Sequence, residues 1–340
     1  MRALVYHGPE DLRLSDVPEP KPAPGEVLVR VKACGICGSD VHGYLGITGR
    51  RLPPMIMGHE FAGEVAALGA GVAGVAVGAR VAVYPIAFCG VCAQCRRGSV
   101  HHCLNKKALG VLDCNGAMAE YVCVPERSLF EIGDNVPFEI GSMMEPLAVA
   151  CRAVNLAGDL AGKTVVVVGA GTIGLFITVL AKAKGPARLI VSDLSDSRLA
   201  VARRMGADRV VDPSKEKLAE VARAESDGAG ADVALEAVGA TPTVQQAMGC
   251  LRLGGTAVWV GNSAKMIEVD MQEVVTRELT VLGSFLYSLE EFRIVAELLN
   301  ARTIDVSPII SALAPMERGV EYFRRLAKDP GPLLKVVLNA

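Results

Sequence analysis

Four cysteines, Cys89, Cys92, Cys95 and Cys103, are spaced C-x2-C-x2-C-x7-C. Four thiolates held this close can form a tetrahedron around Zn²⁺, whose preferred structural shell is four sulfurs. That shell is closed, so this zinc is expected to be structural. A second set of ligands lies upstream, in Cys34-Gly35-Ile36-Cys37-Gly38-Ser39-Asp40-Val41-His42 and in Gly58-His59-Glu60. An open zinc site needs about three protein ligands and one exchangeable position. Cys37 and His59 offer two. Glu60, directly after His59, and Glu145, directly before Pro146, are the candidates for the third. Either can ligate or stand behind the shell, and a salt bridge is the plainer reading of Glu145. Asp40 suits a hydrogen bond that orients His59. Cys34 reads as a small buried residue.

A hydroxyl and an imidazole follow the first ligand, at Ser39 and His42. An alcohol activated by a metal must still lose its proton from a pocket that excludes water. A path through Ser39 to His42 would carry it out, because histidine titrates near neutrality. The plainer reading is a capping serine and a surface histidine. His101 and His102 adjoin the cysteine lobe and read as surface residues, since four thiolates already fill that shell. Arg50 and Arg51 read as a solvated loop, with a grip on an anionic substrate as the alternative.

The third signal is Gly169-Ala170-Gly171-Thr172-Ile173-Gly174, with Asp193 at the end of the following strand. Gly169 permits a tight turn, Gly171 lets the backbone approach a pyrophosphate, and Gly174 lets helix and strand pack closely. The helix opening at Thr172 and Ile173 would present free N–H groups to the phosphates. Asp193 would accept from ribose hydroxyls and repel a 2′-phosphate, which favours NAD over NADP. Arg198, a helical turn further on, reads equally as an adenosine-side contact or a solvated charge. One closed zinc, one open zinc and one dinucleotide site together imply metal-assisted hydride transfer.

Two kinds of chain must position these groups. Residues 1–147 carry short β-like runs such as Val27–Ala33 and Ala79–Val83, separated by glycine and proline turns. Residues 148–286 alternate apolar strands with helices: Thr164–Val168, Arg188–Asp193, Arg209–Val211, Ala231–Glu236 and Thr256–Val260 are the strands. That alternation implies a doubly wound parallel sheet covered on both faces, an α/β fold. Residues 287–340 read as a helix, Leu289–Asn300, and a last strand, Leu334–Leu338, that return to complete the first domain.

The composition agrees with a globular protein of two domains, 340 residues with 51% hydrophobic and 21% charged. A net charge of −2, with scattered lysine and arginine, argues against a nucleic-acid partner. No secretory leader is evident, and the longest uncharged run, Val65–Ala79, is broken by glycines and too short for a bilayer. A soluble cytoplasmic protein is expected, with its clustered cysteines on metal rather than in disulfides.

These motifs together resemble the zinc-dependent medium-chain dehydrogenases, in the alcohol and polyol dehydrogenase group. The likeness spans the chain, through Gly58-His59-Glu60, the four-cysteine lobe, Glu145-Pro146-Leu147 and the glycine turn. It implies a GroES-like catalytic domain beside a Rossmann domain, two zinc ions per chain, NAD, and a homo-oligomer, tetramer or alternatively dimer. It also implies that Cys37 and His59 hold the open zinc with Glu60 or Glu145, and that Ser39 and His42 relay the proton. A glutamate at position 145 looks like the sorbitol, galactitol-phosphate, butanediol and threonine branches. Ser39 fits the polyol and butanediol branches, whereas threonine dehydrogenases usually carry threonine there. Leu286 and Gly43 both depart from the sorbitol pattern. The expected reaction is therefore oxidation of a secondary alcohol or polyol, with an amino alcohol of the threonine type as the alternative. A non-catalytic zinc and nucleotide-binding protein would leave Cys37, Ser39, His42 and His59 without a purpose.

Overall fold

The structure, a computed structural model, describes residues 1–112 and 114–340. The chain divides into two compact units. The first comprises Met1–Glu145, Ser288–Arg302 and Ile310–Ala340; the second comprises Pro146–Tyr287 and Thr303–Ile309. The short segment Thr303–Ile309 thus joins the second unit, although the sequence suggested that everything after residue 287 belongs with the first.

The first unit is built mainly on a seven-stranded, mostly antiparallel sheet. Its spine is the strand Glu26–Gly35, which pairs with Glu60–Leu68 on one side. Tyr121–Pro125 pairs along the other side of its first half, and Lys335–Asn339 along the last residues. The register slips twice between Glu26–Gly35 and Glu60–Leu68, and such bulges bend a sheet toward closure. Inside lies one apolar core, including Leu4, Val29, Val31, Met57, Phe61, Met118 and Phe323. This packing sets the ends of two neighbouring strands, Gly35 and Glu60, side by side. The residues that follow Gly35 and precede Glu60 carry the candidate ligands.

The second unit holds six parallel strands in the order Arg209–Val211, Arg188–Ser192, Thr164–Val168, Ala231–Glu236, Leu251–Trp259, Thr280–Gly283. Thr164–Val168 is buried along its whole length, as an all-β-branched run inside a two-faced sheet should be. Helices Leu218–Ala224 and Thr241–Gly249 cover one face over Val166, Val168, Ile190, Ala234 and Ala257. The strand expected at Thr256–Val260 begins earlier, at Leu251, and Arg252 to Gly255 are its irregular entry. Among the described residues no helix is long and apolar enough to cross a membrane.

Candidate active site and metal centres

The four cysteines converge around the one-turn helix Ala93–Arg96. Sulfur separations are 3.9 Å for Cys89–Cys95, 3.5 Å for Cys92–Cys95, 3.9 Å for Cys92–Cys103 and 3.5 Å for Cys103–Cys89. A tetrahedron with Zn–S bonds of about 2.3 Å has edges of about 3.8 Å, so the donor set fits zinc as it stands. The N–H of Cys89 donates to the Cys103 sulfur and that of Cys92 to the Cys89 sulfur, and backbone N–H groups at Val91 and Cys92 lower the Cys89 thiol. Backbone N–H groups at Cys95 and Leu104 bring the Cys92 thiol down to about 6. Burial and the neighbouring thiols push Cys95 up to about 12. His102 is exposed as expected, but His101 is buried, its ring 4.1 Å from that of His102. The short 3₁₀ turn Val100–His102 folds it under the lobe, which the sequence alone did not indicate.

Cys37, His59 and Glu60 form the second group, their donor atoms all within 4.8 Å of one another. Cys37 is the N-cap of the helix Gly38–Tyr44: its sulfur accepts from Ser39 N–H at 3.4 Å, and its own N–H donates to Asp40 at 3.2 Å. Asp40 is fully buried and lies 3.5 Å from His59 Nδ1, an ion-pair distance rather than a formed hydrogen bond. Burial alone would push its carboxyl up, but His59 and Arg51 outweigh this and lower it to about 2. Burial pushes the His59 imidazole down, while Asp40 and the Cys37 sulfur raise it well above the ordinary value. Asp40 and the Cys37 sulfur thus make this a place that favours positive charge.

Three further residues complete the picture. Lys335, on the last strand, reaches under the group: Nζ donates to Glu60 Oε1 at 2.9 Å, Glu60 Oε2 at 2.7 Å and Ile36 O at 3.1 Å. Gly35 makes room for this carboxylate, since a Cβ there would lie 2.3 Å from Glu60 Oε2. Arg51 is not solvated, in contrast to the expectation from its loop: it is 7% exposed and donates to Asp40 Oδ1 at 2.8 Å and Ser39 Oγ at 3.4 Å. A bare charge count across Arg50-Arg51 and Ser39-Asp40 could have suggested that pairing. Glu145 is buried in the first turn of the helix Met144–Leu156, close enough that its charge bears on Lys335, but it is outside the three-residue group. Ser39 Oγ donates to the Cys37 sulfur at 3.3 Å. Ser39 and His42 are both exposed, three residues apart on one helix, hence on one face. Cys34 is buried, as expected.

In the second unit, Gly169 ends the strand Thr164–Val168 with a φ of +94°, and the helix Thr172–Ala183 starts after Gly171. A Cβ at Gly174 would stand 1.7 Å from Gly169 O, so helix and turn touch only because that position is glycine. Ile173 sits in the first turn of that helix. Asp193 Oδ2 accepts from Ala170 N–H at 2.7 Å and Oδ1 from Ser195 N–H at 2.9 Å. A carboxylate has about four acceptor sites, so capacity remains for a ligand. Arg198 Nη1 stands 3.9 Å from Asp193 Oδ2.

The model of the alcohol dehydrogenase GroES-like domain matches residues 23–134, and that of the zinc-binding dehydrogenase matches residues 172–301. An L-threonine 3-dehydrogenase of Pyrococcus furiosus is 38% identical over 92% of this chain and 90% of its own. A zinc-binding dehydrogenase of Sinorhizobium meliloti, solved bound to NADP, superposes with a TM-score of 0.93 at 34% identity, covering 100% of this chain and 99% of that one. The 2R,3R-butanediol dehydrogenase of Bacillus subtilis superposes with a TM-score of 0.90 at 33% identity, with 100% and 99% covered. Likeness of this extent, over both units and at both ends of the chain, places the protein among the zinc-dependent medium-chain dehydrogenases, enzymes that oxidise CH–OH groups with a nicotinamide cofactor.

Proposed function

We propose that this chain oxidises a secondary alcohol bearing a second hydroxyl, a diol or polyol, with NAD as the acceptor. The observation that carries the reading is the Cys37–His59–Glu60 group beside an exposed hydroxyl and an exposed imidazole on the same helix. When bound, zinc lends Lewis acidity to a substrate hydroxyl and the nicotinamide ring takes the hydride. The chain's residues do the rest. Cys37 and His59 would hold the ion, with Glu60 or Glu145 as the carboxylate. Asp40 fixes the Cys37 backbone and faces His59. Ser39 Oγ would accept the substrate's proton while passing its own hydroxyl proton toward His42, which releases it to water. Asp193 would hold the adenosine ribose through its remaining lone pairs, and a 2′-phosphate would meet its charge. The four-cysteine lobe would carry the second zinc.

L-Threonine is the second reading, favoured by the 38% identity to a threonine dehydrogenase. Ser39 and the commitment of Arg51 to Asp40 weigh toward the uncharged substrate, because an amino-acid carboxylate would need a free cation. Measuring kcat/KM for diols, polyols, sugar-alcohol phosphates and L-threonine at fixed NAD decides. A clear preference for L-threonine would replace the leading reading. We also propose a homo-oligomer, tetramer or dimer, joined through the edge strand Thr280–Gly283 and the exposed Met271 and Val275 beside it. Sedimentation showing only monomer at micromolar concentration would refute that.

A further inference from the structure

In the second unit the strand order reverses between Thr164–Val168 and Ala231–Glu236. Dinucleotides bind in the crevice beyond the carboxyl ends of strands at such a point. The glycine turn from Gly169 to Gly174 is one wall of that crevice. The turn following Ala231–Glu236 is the other, and a fully buried carboxylate, Glu236, stands at its root. Glu236 Oε1 accepts three bonds: from Val238 N–H at 2.9 Å, Gly239 N–H at 2.7 Å and Thr243 Oγ1 at 2.7 Å.

The turn so held is wedged on both sides. A Cβ on Gly169 would meet Val238 Cγ2 at 2.4 Å. Gly239, with φ +82°, and Gly261 lie back to back, and a Cβ on either would come within 2.4 Å or 2.0 Å of the other loop's backbone. Ser263 Oγ donates to Val238 O at 2.6 Å, and Ala264 N–H to Gly239 O at 2.9 Å. One carboxylate oxygen therefore sets the turn against which two neighbouring loops register.

We infer that Glu236 is a positioning residue for the cofactor, holding the turn Ala237–Gly239 as the wall that seats the nicotinamide half. The inference rests on the dinucleotide reading given above. The assignment of halves follows from topology: Asp193 closes a strand of the first mononucleotide-binding half, and Ala231–Glu236 opens the second. Loss of the Oε1 acceptor should weaken binding of the nicotinamide half and spare the adenosine half. No contact of Glu236 with the ligand is required.

The chain's one tryptophan, Trp259, is the registered neighbour of Glu236 on the adjacent strand, so its emission reports on this place. NADH and ADP are titrated by that emission into the zinc-loaded wild type, Glu236→Ala and Glu236→Gln. Glu236→Ala should weaken NADH about tenfold and ADP by less than about twofold. Glu236→Gln keeps an amide oxygen for the three donors and should restore NADH binding to within about threefold. A purely structural role would lower the melting temperature of Glu236→Ala without changing the ratio of the two affinities, and that result overturns the inference. If Glu236→Ala does not fold, Ser263→Ala decides. It removes only an exposed hydroxyl's bond to Val238 O, and it should weaken NADH but not ADP; equal binding of both would overturn the inference. A wild type that binds neither ligand would instead overturn the cofactor reading beneath it.

Discussion

Replacing Lys335 by methionine removes an ammonium that is 3% exposed and strands the Glu60 carboxylate, 1% exposed, as a buried charge. Methionine fills most of the lysine stem's volume, so the cavity left is small and the unpaired charge dominates. Nζ spans both carboxylate oxygens, at 2.9 and 2.7 Å, with both side chains almost wholly shielded from solvent. Removing one partner of such a pair costs about 3–5 kcal/mol. In domains of this size each kcal/mol moves the melting point by roughly 2–4 °C, so a fall of about 6–20 °C is expected. Adding Glu60→Gln removes the second charge and should recover at least half of that fall. The assay is circular dichroism melting of wild type, both single variants and the double variant, at equal zinc loading. A Lys335→Met protein that melts within about 2 °C of wild type would refute the argument. So would a double variant no more stable than the single.

Four other outcomes are expected. Protein purified without chelator should contain two zinc ions per chain; Cys89→Ser should lose one and melt earlier, while Cys37→Ala should lose the other together with turnover. Asp40 is lowered from 3.8 to about 2 in the folded chain, so its contribution to stability is full above the unfolded value and is lost as pH falls toward about 2; Asp40→Asn should flatten the acid limb of the stability profile, and an unchanged limb counts against the Arg51–Asp40–His59 cluster. Asp193→Ala should erode the preference for NAD over NADP by about 1.5–3 kcal/mol, read as the ratio of kcat/KM values; a wild type that prefers NADP contradicts the assignment. His42→Ala should keep zinc and NADH binding, slow oxidation at neutral pH and recover partly at higher pH, where hydroxide accepts the proton; an unchanged pH–rate profile removes the relay.

What could be read from the sequence was what is local in it. The four-cysteine lobe lies within fifteen residues, and the glycine turn follows directly on a wholly apolar strand, so spacing alone reports both. Thr164–Val168, Ala231–Glu236 and Leu289–Asn300 have the limits expected, because their apolar pattern is uninterrupted. Lys335 was invisible: 275 residues separate it from Glu60, and nothing near either residue announces the pair. Arg51 was taken for a solvated charge because a double arginine in a glycine- and proline-rich loop usually is; only tertiary packing brings it onto Asp40. The strand Ile310–Pro315 and the helix Gly319–Lys328 also went unrecognised. Alternating exposure along that strand and the charge-rich helix sequence hide their apolar faces. Glu236 looked like the end of one more buried strand, since its role depends on a turn and two loops from elsewhere in the sheet.

The placement of the strand Lys335–Asn339 bears on how the enzyme is made. It pairs with Glu26–Gly35, so an early and a much later stretch of the sequence meet in one sheet. Translation completes the second unit, which is continuous apart from Thr303–Ile309, while the first still lacks its closing strand. Domains usually mature in the order they leave the ribosome; here the earlier half must wait for the later one. Until Lys335 arrives, Glu60 lacks the ammonium that it is paired with in the finished fold. A nascent chain stalled before that strand would leave the Glu60 carboxylate beside Cys37 and His59 without its lysine.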